Sequence, residues 1–185
     1  LAMLPEGPEI EELNTDISEM EDMLDDYLAF ARGYQGETAT EAELAPFLNQ
    51  IHHDAERRWP NVNIRLTDVL ARPVSIKSNA FRRCPNNLVN NACGHAGMVH
   101  LGAKINETED TVTIFVDDNG VGIPDNKLEE VFRPFYRLDD ARNAQTGGTG
   151  LGLAIARDVA RGHGGDIILS RSALGGLRAE ITLPV

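Results

Sequence analysis

The order of hydrophobic and polar positions separates an N-terminal helical segment from a longer region of alternating helices and strands. Within the first segment, apolar residues recur at alternating spacings of three and four, which is the seam of a coiled coil or helical bundle. The seam residues are Ile10, Leu13, Ile17, Met20, Leu24, Tyr27 and Ala31. Two interpretations follow: a helix that packs in a bundle with other helices, or a single amphipathic helix lying on the next domain. The narrow seam favours the bundle.

The rest of the chain has the pattern of one α/β domain. Residues 34–40 have the composition of a linker, and Thr38 and Thr40 each offer a capping box for a helix over about 41–57. Period-2 and period-3.6 patterns then predict strands over 62–68, 73–78, 98–106, 111–118, 166–172 and 177–185, with helices over 82–93 and 150–162. We therefore expect residues 41–185 to form an α/β sandwich, a mixed sheet with helices on one face.

The charge of the chain limits the kind of partner it can bind, and the spacing of its cysteines indicates the state of their thiols. The chain has 185 residues and a net charge of −12, and its first 33 residues hold ten acids against one arginine. An acidic surface argues against nucleic acid as a partner. Cys84 and Cys93 are too far apart on one predicted helix to form a disulfide, so we expect reduced core thiols. No apolar run approaches the roughly 18 residues of a membrane span. The chain begins without methionine, and we expect it to be a fragment.

The stretch TGGTGLGLAIA, residues 146–156, places a glycine-rich turn directly before a helical pattern. Such a turn commonly binds an anion through unpaired backbone N–H groups at the helix N-terminus. A P-loop is excluded because no lysine occurs between residues 128 and 185. A dinucleotide-binding GxGxxG is also excluded, because Leu153 or Ile155 occupies the position of its third glycine. The pattern therefore indicates a phosphate-binding loop of another kind.

Three other segments carry chemistry only in combination. DDNGVGIP follows a predicted strand and places the Asp118 carboxylate beside Gly120 and Gly122, where the backbone can approach a planar ligand. FRPFYR puts two phenylalanines around a proline before a polar stretch. NNLVNNA sets Asn87 and Asn91 on one helix face, where amide oxygens could hold hydrated Mg²⁺. Separately these are an ordinary turn, a hydrophobic hinge and a solvated polar face.

In this order the four segments resemble the N, G1, F and G2 boxes of sensor histidine kinases. These kinases belong to the GHKL ATPases, together with gyrase, MutL and the Hsp90 chaperones. The resemblance covers about residues 41–185 and implies a Bergerat-type ATP-binding fold. FRPF shortly before GTGLGLAIA is more similar to the kinases than to gyrase or MutL. Residues 1–33 resemble the end of helix one, the turn and helix two of the dimerisation and phosphotransfer bundle.

The resemblance implies a role for each motif residue in binding ATP. Asp118 would accept a hydrogen bond from the adenine amino group. The base pocket would include Gly120, Gly122 and Ile123. The phosphates would meet Gly148, Thr149, Gly150, Leu151 and Gly152.

The same resemblance implies a magnesium ligand and a set of catalytic side chains. Asn91 would bind the Mg²⁺ that bridges the phosphates, and Asn87 would lie one turn away on their side. Residues 136–147 would form the ATP lid. With Asn87, the candidate catalytic residues are Arg137 and Arg142, placed to neutralise charge developing on the γ-phosphoryl group. The alternative for both arginines is a solvent-exposed side chain without such a role.

The activity implied is transfer of the ATP γ-phosphoryl group to a bundle histidine, and from there to a response-regulator aspartate. We expect that acceptor histidine upstream of this fragment, so the chain alone should bind nucleotide without autophosphorylation. The implied partners are a response-regulator receiver domain and a second kinase subunit through the bundle helices. The implied location is cytoplasmic, with the parent kinase anchored in the bacterial inner membrane. Alternatives are a non-catalytic, nucleotide-regulated interaction module, or another GHKL ATPase.

Two residues depart from the kinase pattern. Family members usually carry Lys or Arg three residues after the magnesium asparagine, and Gly94 stands there. Pro85 would remove one hydrogen bond from the asparagine helix unless that helix begins near Arg82. Both departures are compatible with an alternative in which the domain binds nucleotide weakly or for regulation.

Overall fold

The computed structural model describes residues 37–69, 72–138 and 150–185, together with Ile17 and Leu28. The chain divides into two units, Leu1–Gly33 and Tyr34–Val185. Ile17 and Leu28 are both helical, and Ile17 is 46% exposed. The other seam residues, and with them the predicted bundle helix, lie outside the described residues.

A five-stranded sheet forms the centre of the second unit. In chain order its strands are β2 (Asn63–Val69), β4 (Met98–Asn106), β5 (Thr111–Asp118), β6 (Asp166–Arg171) and β7 (Leu177–Pro184). Their order across the sheet is β2-β4-β5-β7-β6, and only β2 and β4 run parallel. The predicted mixed sheet is therefore confirmed. Two short strands, β1 (Thr40–Ala42) and β3 (Val74–Ile76), pair antiparallel in a separate ribbon.

Among the residues that the structure describes, three helices cover the core face of the sheet. They are α1 (Leu44–Arg58), α2 (Ser78–His95) and α3 (Gly152–Gly162). Alternate strand residues are buried beneath them, as the period-2 pattern requires, and in β7 these are Leu177, Ala179, Ile181 and Leu183. In the described part of the chain between β5 and α3, two short 3₁₀ turns occur at Asp125–Lys127 and Glu130–Phe132. This is the predicted arrangement of helices on one face of a mixed sheet.

The start of α1 differs from the prediction. Thr40–Ala42 is paired with β3, so the helix begins at Leu44 rather than at residue 41. Glu43 occupies the N-cap position and makes no side-chain capping hydrogen bond. Neither predicted capping box forms, because strand pairing holds the backbone of these residues in an extended conformation.

The start of α2 also differs, with a consequence for Pro85. The helix begins at Ser78, because the Glu37 carboxylate accepts the backbone N–H groups of Asn79 at 2.9 Å and Ala80 at 3.1 Å. Pro85 is consequently an interior helix residue instead of a first-turn residue, and the expectation of a start near residue 82 is wrong. Proline has no N–H to donate to the carbonyl of Phe81, so α2 lacks one helical hydrogen bond there.

His163 connects the end of α3 to the beginning of α2. Its Nδ1 donates to the Val159 carbonyl at 2.7 Å, and its Nε2 accepts the Lys77 N–H at 3.0 Å. The imidazole also packs edge-on against the Phe81 ring, with centroids 5.3 Å apart. Both ring nitrogens are occupied, so the histidine has a structural role in the described part of the chain.

Both cysteines are free thiols in the core, as predicted. Burial, and to a smaller extent the negative charge of Asp118, raises the pKa of Cys93 to about 12, while burial raises the pKa of Cys84 well above its usual range. Both thiols are therefore protonated and unreactive at neutral pH. Among the described residues, no helix is both long and apolar enough to cross a membrane.

Candidate functional site

Asp118 lies at the end of β5 with its carboxylate fixed in one orientation. The residue is 5% exposed, and its Oδ1 accepts the N–H groups of Gly120 at 2.8 Å and Leu177 at 3.0 Å. Oδ2 makes no hydrogen bond within the described residues. Because both backbone donors use the same oxygen, Oδ2 is left to accept from a ligand, and its direction is set by the two strands that hold it.

The two glycines after Asp118 are required by the backbone geometry. A Cβ at Gly120 would lie 2.7 Å from the carbonyl oxygen of His95 at the end of α2. Gly122 has a φ of +72°, which side chains disfavour. Ile123 follows them and packs, half-buried, against the core. The turn therefore lies close to α2 and leaves the backbone accessible beside the carboxylate.

Gly176 is a site residue that sequence reasoning missed. Its N–H donates to the Asp118 carbonyl at 3.1 Å, and a Cβ there would lie 2.1 Å from Asp118 Oδ1 and 2.5 Å from the Gly120 nitrogen. The sequence shows only a glycine pair between two strands. That signal does not reveal a contact with a residue 58 positions earlier, because the sheet pairing of β5 with β7 creates it.

We expect Gly176→Ala to impair ligand binding through Asp118. The added methyl group must displace the carboxylate or the β7 turn, at a cost of about 1–3 kcal/mol in unfolding free energy. Nucleotide affinity should fall about tenfold or more. Calorimetric titration and thermal unfolding measure both effects. Gly97→Ala is the control, because a Cβ at Gly97 meets no atom within 4 Å. Unchanged affinity in Gly176→Ala would contradict the contact's role.

Asn87 is half-buried, and the nitrogen of its side-chain amide lacks a partner in the described part of the chain. Its Nδ2 is buried and makes no hydrogen bond within the described residues. A Cβ at Gly152, the first residue of α3, would lie 3.8 Å from both Cβ and Cγ of Asn87. An unpaired buried donor is costly, and such groups in native proteins commonly meet a ligand or water. Asn87 thus marks a polar site at the N-terminus of α3.

Asn91 lies one turn further along α2 and is half-buried. The intervening Asn90 is used structurally, because its Oδ1 accepts the Trp59 Nε1–H at 3.1 Å. Of the three asparagines at positions 87, 90 and 91, Asn90 therefore supports the fold, and Asn87 and Asn91 remain for the predicted role toward phosphate. At Gly94 a Cβ would contact only the Trp59 ring, at 3.9 Å, so sterics do not explain the glycine.

The predicted phosphate residues adjoin the FRPF segment at a close backbone contact. The Phe135 N–H donates to the Gly150 carbonyl at 2.9 Å, and the two residues have φ values of +65° and +70°. A Cβ at Gly150 would lie 2.9 Å from the Phe135 carbonyl carbon, so only glycine fits there. Leu151 is buried, and Gly152 begins α3 beside Asn87.

Three predicted site residues, Arg142, Gly148 and Thr149, lie outside the described residues. Arg137 is described and exposed. Its predicted role toward the γ-phosphoryl group, like that of Arg142, remains a prediction.

A second group of polar side chains lies on α1, away from these motifs. Within the described part of the chain, His52, His53 and Glu56 bring their ligand atoms within 4.8 Å of one another. However, His52 Nε2 lies 3.2 Å from the Ile64 carbonyl oxygen and is used in that contact. The group therefore does not offer three free metal ligands.

The family follows from comparison with known proteins. Residues 76–185 match the family described as Histidine kinase-, DNA gyrase B-, and HSP90-like ATPase. The chain belongs to this family. The matched region contains Asn87, Asn91, Asp118 and the glycines before α3, so this ATPase domain includes all the described candidate residues.

Relatives of this ATPase domain are sensor histidine kinases. Sensor histidine kinase CpxA of Escherichia coli is 33% identical over 97% of this chain, and sensor histidine kinase WalK of Bacillus subtilis is 40% identical over 60% of it. The chain spans 40% of the length of CpxA and 19% of that of WalK. The solved ATP binding domain of PrrB from Mycobacterium tuberculosis has a TM-score of 0.66 and 29% identity, covering 79% of this chain and 96% of that one. The predicted fold and kinase-type ATPase domain are confirmed, and membership implies nucleotide binding.

Proposed function

We propose that this domain binds Mg-ATP and, in the intact protein, transfers the γ-phosphoryl group to a histidine of the dimerisation bundle and then to a response-regulator aspartate. One observation carries the proposal: Asp118 is held by two backbone N–H groups on Oδ1, which leaves Oδ2 to accept a hydrogen bond. Adenine offers such a donor in its amino group, next to an accepting ring nitrogen. Gly120, Gly122 and Ile123 would form the pocket around the base.

The phosphate end of the proposed site lies between α2 and the start of α3. Asn87 Nδ2, which has no hydrogen-bond partner among the described residues, would donate to a phosphate oxygen, together with the backbone of Gly150, Leu151 and Gly152 at the helix N-terminus. Gly148 and Thr149 are proposed to extend this loop.

Magnesium is proposed to bind at Asn91. The half-buried amide oxygen of Asn91 suits a cation that keeps several of its own waters, and no acidic cage is needed when phosphates supply the charge. The ion would neutralise charge on the phosphate oxygens when bound. Arg137 and Arg142 are proposed to stabilise the charge that develops on the transferred group.

The division of the chain into functional parts is also a proposal. Residues 1–33 would be the end of helix one, the turn and helix two of the dimerisation bundle. Residues 34–40 would connect it to the ATP-binding domain over 41–185, and Glu37 and Thr40 of this connection already contact that domain. The partners of the intact protein would be a second kinase subunit and a response-regulator receiver domain. The parent kinase would be anchored in the bacterial inner membrane with this part in the cytoplasm.

Titration of the chain with ATP, with Mg²⁺ or with EDTA, tests the proposal. We expect wild type to bind more tightly with Mg²⁺, and Asn91→Ala to lose about 10- to 100-fold in affinity, mostly in the Mg²⁺-dependent part. Asn79→Ala is the matched control, because Asn79 is an exposed asparagine at the other end of the same helix. Equal affinity of Asn91→Ala and wild type would contradict the magnesium assignment.

A non-catalytic nucleotide-binding module is the second candidate, and Gly94 favours it by removing the cation that kinases usually place near the phosphates. Incubation with γ-labelled ATP and a separately prepared kinase bundle distinguishes the two. Label on the bundle histidine supports the kinase, whereas binding without transfer supports the module. Acid-labile label on this chain alone would contradict the expected upstream acceptor.

A further inference from the structure

Arg157, on the second turn of α3, makes an unusually complete set of contacts. Its side chain is 15% exposed. Nε and Nη2 donate to the two oxygens of Asp166 at 2.8 and 3.4 Å, and Nη1 and Nη2 donate to the two oxygens of Glu129 at 2.7 and 3.4 Å. The guanidinium carbon lies 4.3 Å from the centre of the Phe132 ring. One side chain thus pairs with two carboxylates and stacks on an aromatic ring.

The pKa values of Arg157, Glu129 and Asp166 are shifted in the directions that the hydrogen bonds between them require. Hydrogen bonds to Asp166 and Glu129 raise the pKa of Arg157, and its hydrogen bonds lower the pKa of Glu129. Partial burial acts to raise the pKa of Asp166, but hydrogen bonds from Arg157 and Arg161 outweigh it and hold that pKa well below its usual range. All three groups are charged at neutral pH.

These contacts join three parts of the chain, of which two, α3 and the segment leading to Phe135, reach the proposed phosphate site. Arg157 belongs to the helix that begins at Gly152, Asp166 begins β6, and Glu129 and Phe132 lie on the segment leading to Phe135. That segment ends at the hydrogen bond from Phe135 to Gly150. The segment is therefore fixed to α3 at one end by the Arg157 side chain and at the other by backbone.

We propose that Arg157 is a positioning residue for nucleotide binding, which holds segment 129–135 against α3 and so fixes the Gly150 backbone at the phosphate end of the site. The inference rests on the proposed function for its effect on nucleotide. The position of the segment is a separate claim that does not depend on the proposed function. Arg157 is proposed to act through the segment and not on nucleotide itself, since four of its five N–H donors are used by Glu129 and Asp166.

Arg161 provides a matched control. It lies one turn further along α3 and pairs with the same Asp166, at 3.2 and 3.1 Å, without a contact to Glu129 or Phe132. Loss of either arginine removes a cation and an ion pair with Asp166. Only loss of Arg157 removes the contacts to Glu129 and Phe132 in segment 129–135.

The first experiment measures amide hydrogen exchange in the nucleotide-free chain. In Arg157→Met the Phe135 amide, which donates to Gly150, should exchange about tenfold faster or more, and Arg161→Met should leave it unchanged. Arg157→Lys should give an intermediate rate, because an ammonium cannot bind both carboxylates as a fork. Equal exchange of this amide in Arg157→Met and wild type would overturn the inference, whether or not the domain binds ATP.

The second experiment measures Mg-ATP affinity and separates positioning from charge. Glu129 is 80% exposed, so Glu129→Gln should remain folded. Removing a negative charge near a polyanionic ligand should by itself strengthen binding, whereas releasing Arg157 from the segment should weaken it about fivefold. Asp125→Asn, at an exposed acid of the same loop, reports the charge effect alone.

The two measurements have distinguishable outcomes. The inference is supported if Arg157→Met shows faster amide exchange and about tenfold weaker Mg-ATP binding, and if Glu129→Gln also binds Mg-ATP more weakly. The inference is overturned if Arg157→Met exchanges faster but binds Mg-ATP with unchanged affinity. It is also overturned if Glu129→Gln binds Mg-ATP more tightly, to the same extent as Asp125→Asn. If wild type binds no nucleotide, the proposed function fails, while the exchange result still decides whether Arg157 positions the segment.

Discussion

Replacing Asp118 by asparagine should strongly weaken ATP binding while the domain stays folded. The substitution keeps the shape of the side chain and changes Oδ2 from an acceptor into an amide donor. That donor would face the adenine amino group, which is itself a donor. Loss of a charge-assisted hydrogen bond and creation of a donor–donor contact should weaken ATP binding roughly 30-fold or more.

The structure explains why the asparagine cannot turn to avoid this conflict. Oδ1 of Asp118 accepts N–H groups from both Gly120 and Leu177. A flipped amide would point its NH₂ group at these two donors and lose both hydrogen bonds. The retained oxygen is therefore held on the backbone side, and the unfolding temperature should fall by only a few degrees.

Titration with ATP and GTP measures the effect. Guanine presents a carbonyl oxygen where adenine has its amino group, so the preference for ATP over GTP should shrink or reverse in Asp118→Asn. Asp158→Asn, at an exposed acid on α3, controls for loss of one negative charge. Retention of both affinity and base preference in Asp118→Asn would refute the adenine assignment.

Phe81→Ala should cause the largest loss of stability. The Phe81 side chain is fully buried on α2, between the Phe47 ring at 5.7 Å and the His163 ring at 5.3 Å between centroids. Its removal leaves a cavity and costs about 3–5 kcal/mol of unfolding free energy. Since a domain of this size is stabilised by about 5–15 kcal/mol in total, the variant should unfold at much lower denaturant concentration.

Chemical denaturation followed by circular dichroism checks this value. Phe135→Ala is the matched control, because it deletes the same ring from a residue that is 65% exposed, and it should cost under about 1 kcal/mol. Equal midpoints for the two variants would show that the Phe81 ring is not part of a packed core.

The sequence predicts the elements that depend on local pattern and misses those that depend on distant contacts. Alternating burial in β7 agrees with its predicted pattern, because one face of that strand is buried. In β5 the alternating apolar residues Val112, Ile114 and Val116 carry the prediction, although polar residues on the other face are buried as well. The start of α2 is missed, since Glu37, far upstream, caps it. Gly176 is missed for the same reason: its neighbour Asp118 is brought to it only by sheet pairing.

The residues of the candidate site divide in the same way: those in sequence motifs are predicted, and those joined only by distant contacts are not. Asp118, Asn87 and Gly150 were predicted from motifs whose order along the chain carries the signal, and the structure brings Asn87 next to the helix that follows Gly150. The network around Arg157 has no such motif. An arginine on a helix surface, with acids 28 residues before it and nine after it, is indistinguishable in sequence from a solvated side chain.

The interior position of β7 governs how the domain can be synthesised. β7 follows every other strand in chain order, yet it lies between β5 and β6, with Thr113 paired to Thr182 and Ile167 paired to Ile181. A nascent chain on the ribosome that has produced β5 and β6 still lacks the strand that joins them. Its two inner sheet edges stay unpaired until β7 emerges, so the domain folds late in translation and is open to aggregation or chaperone binding until then.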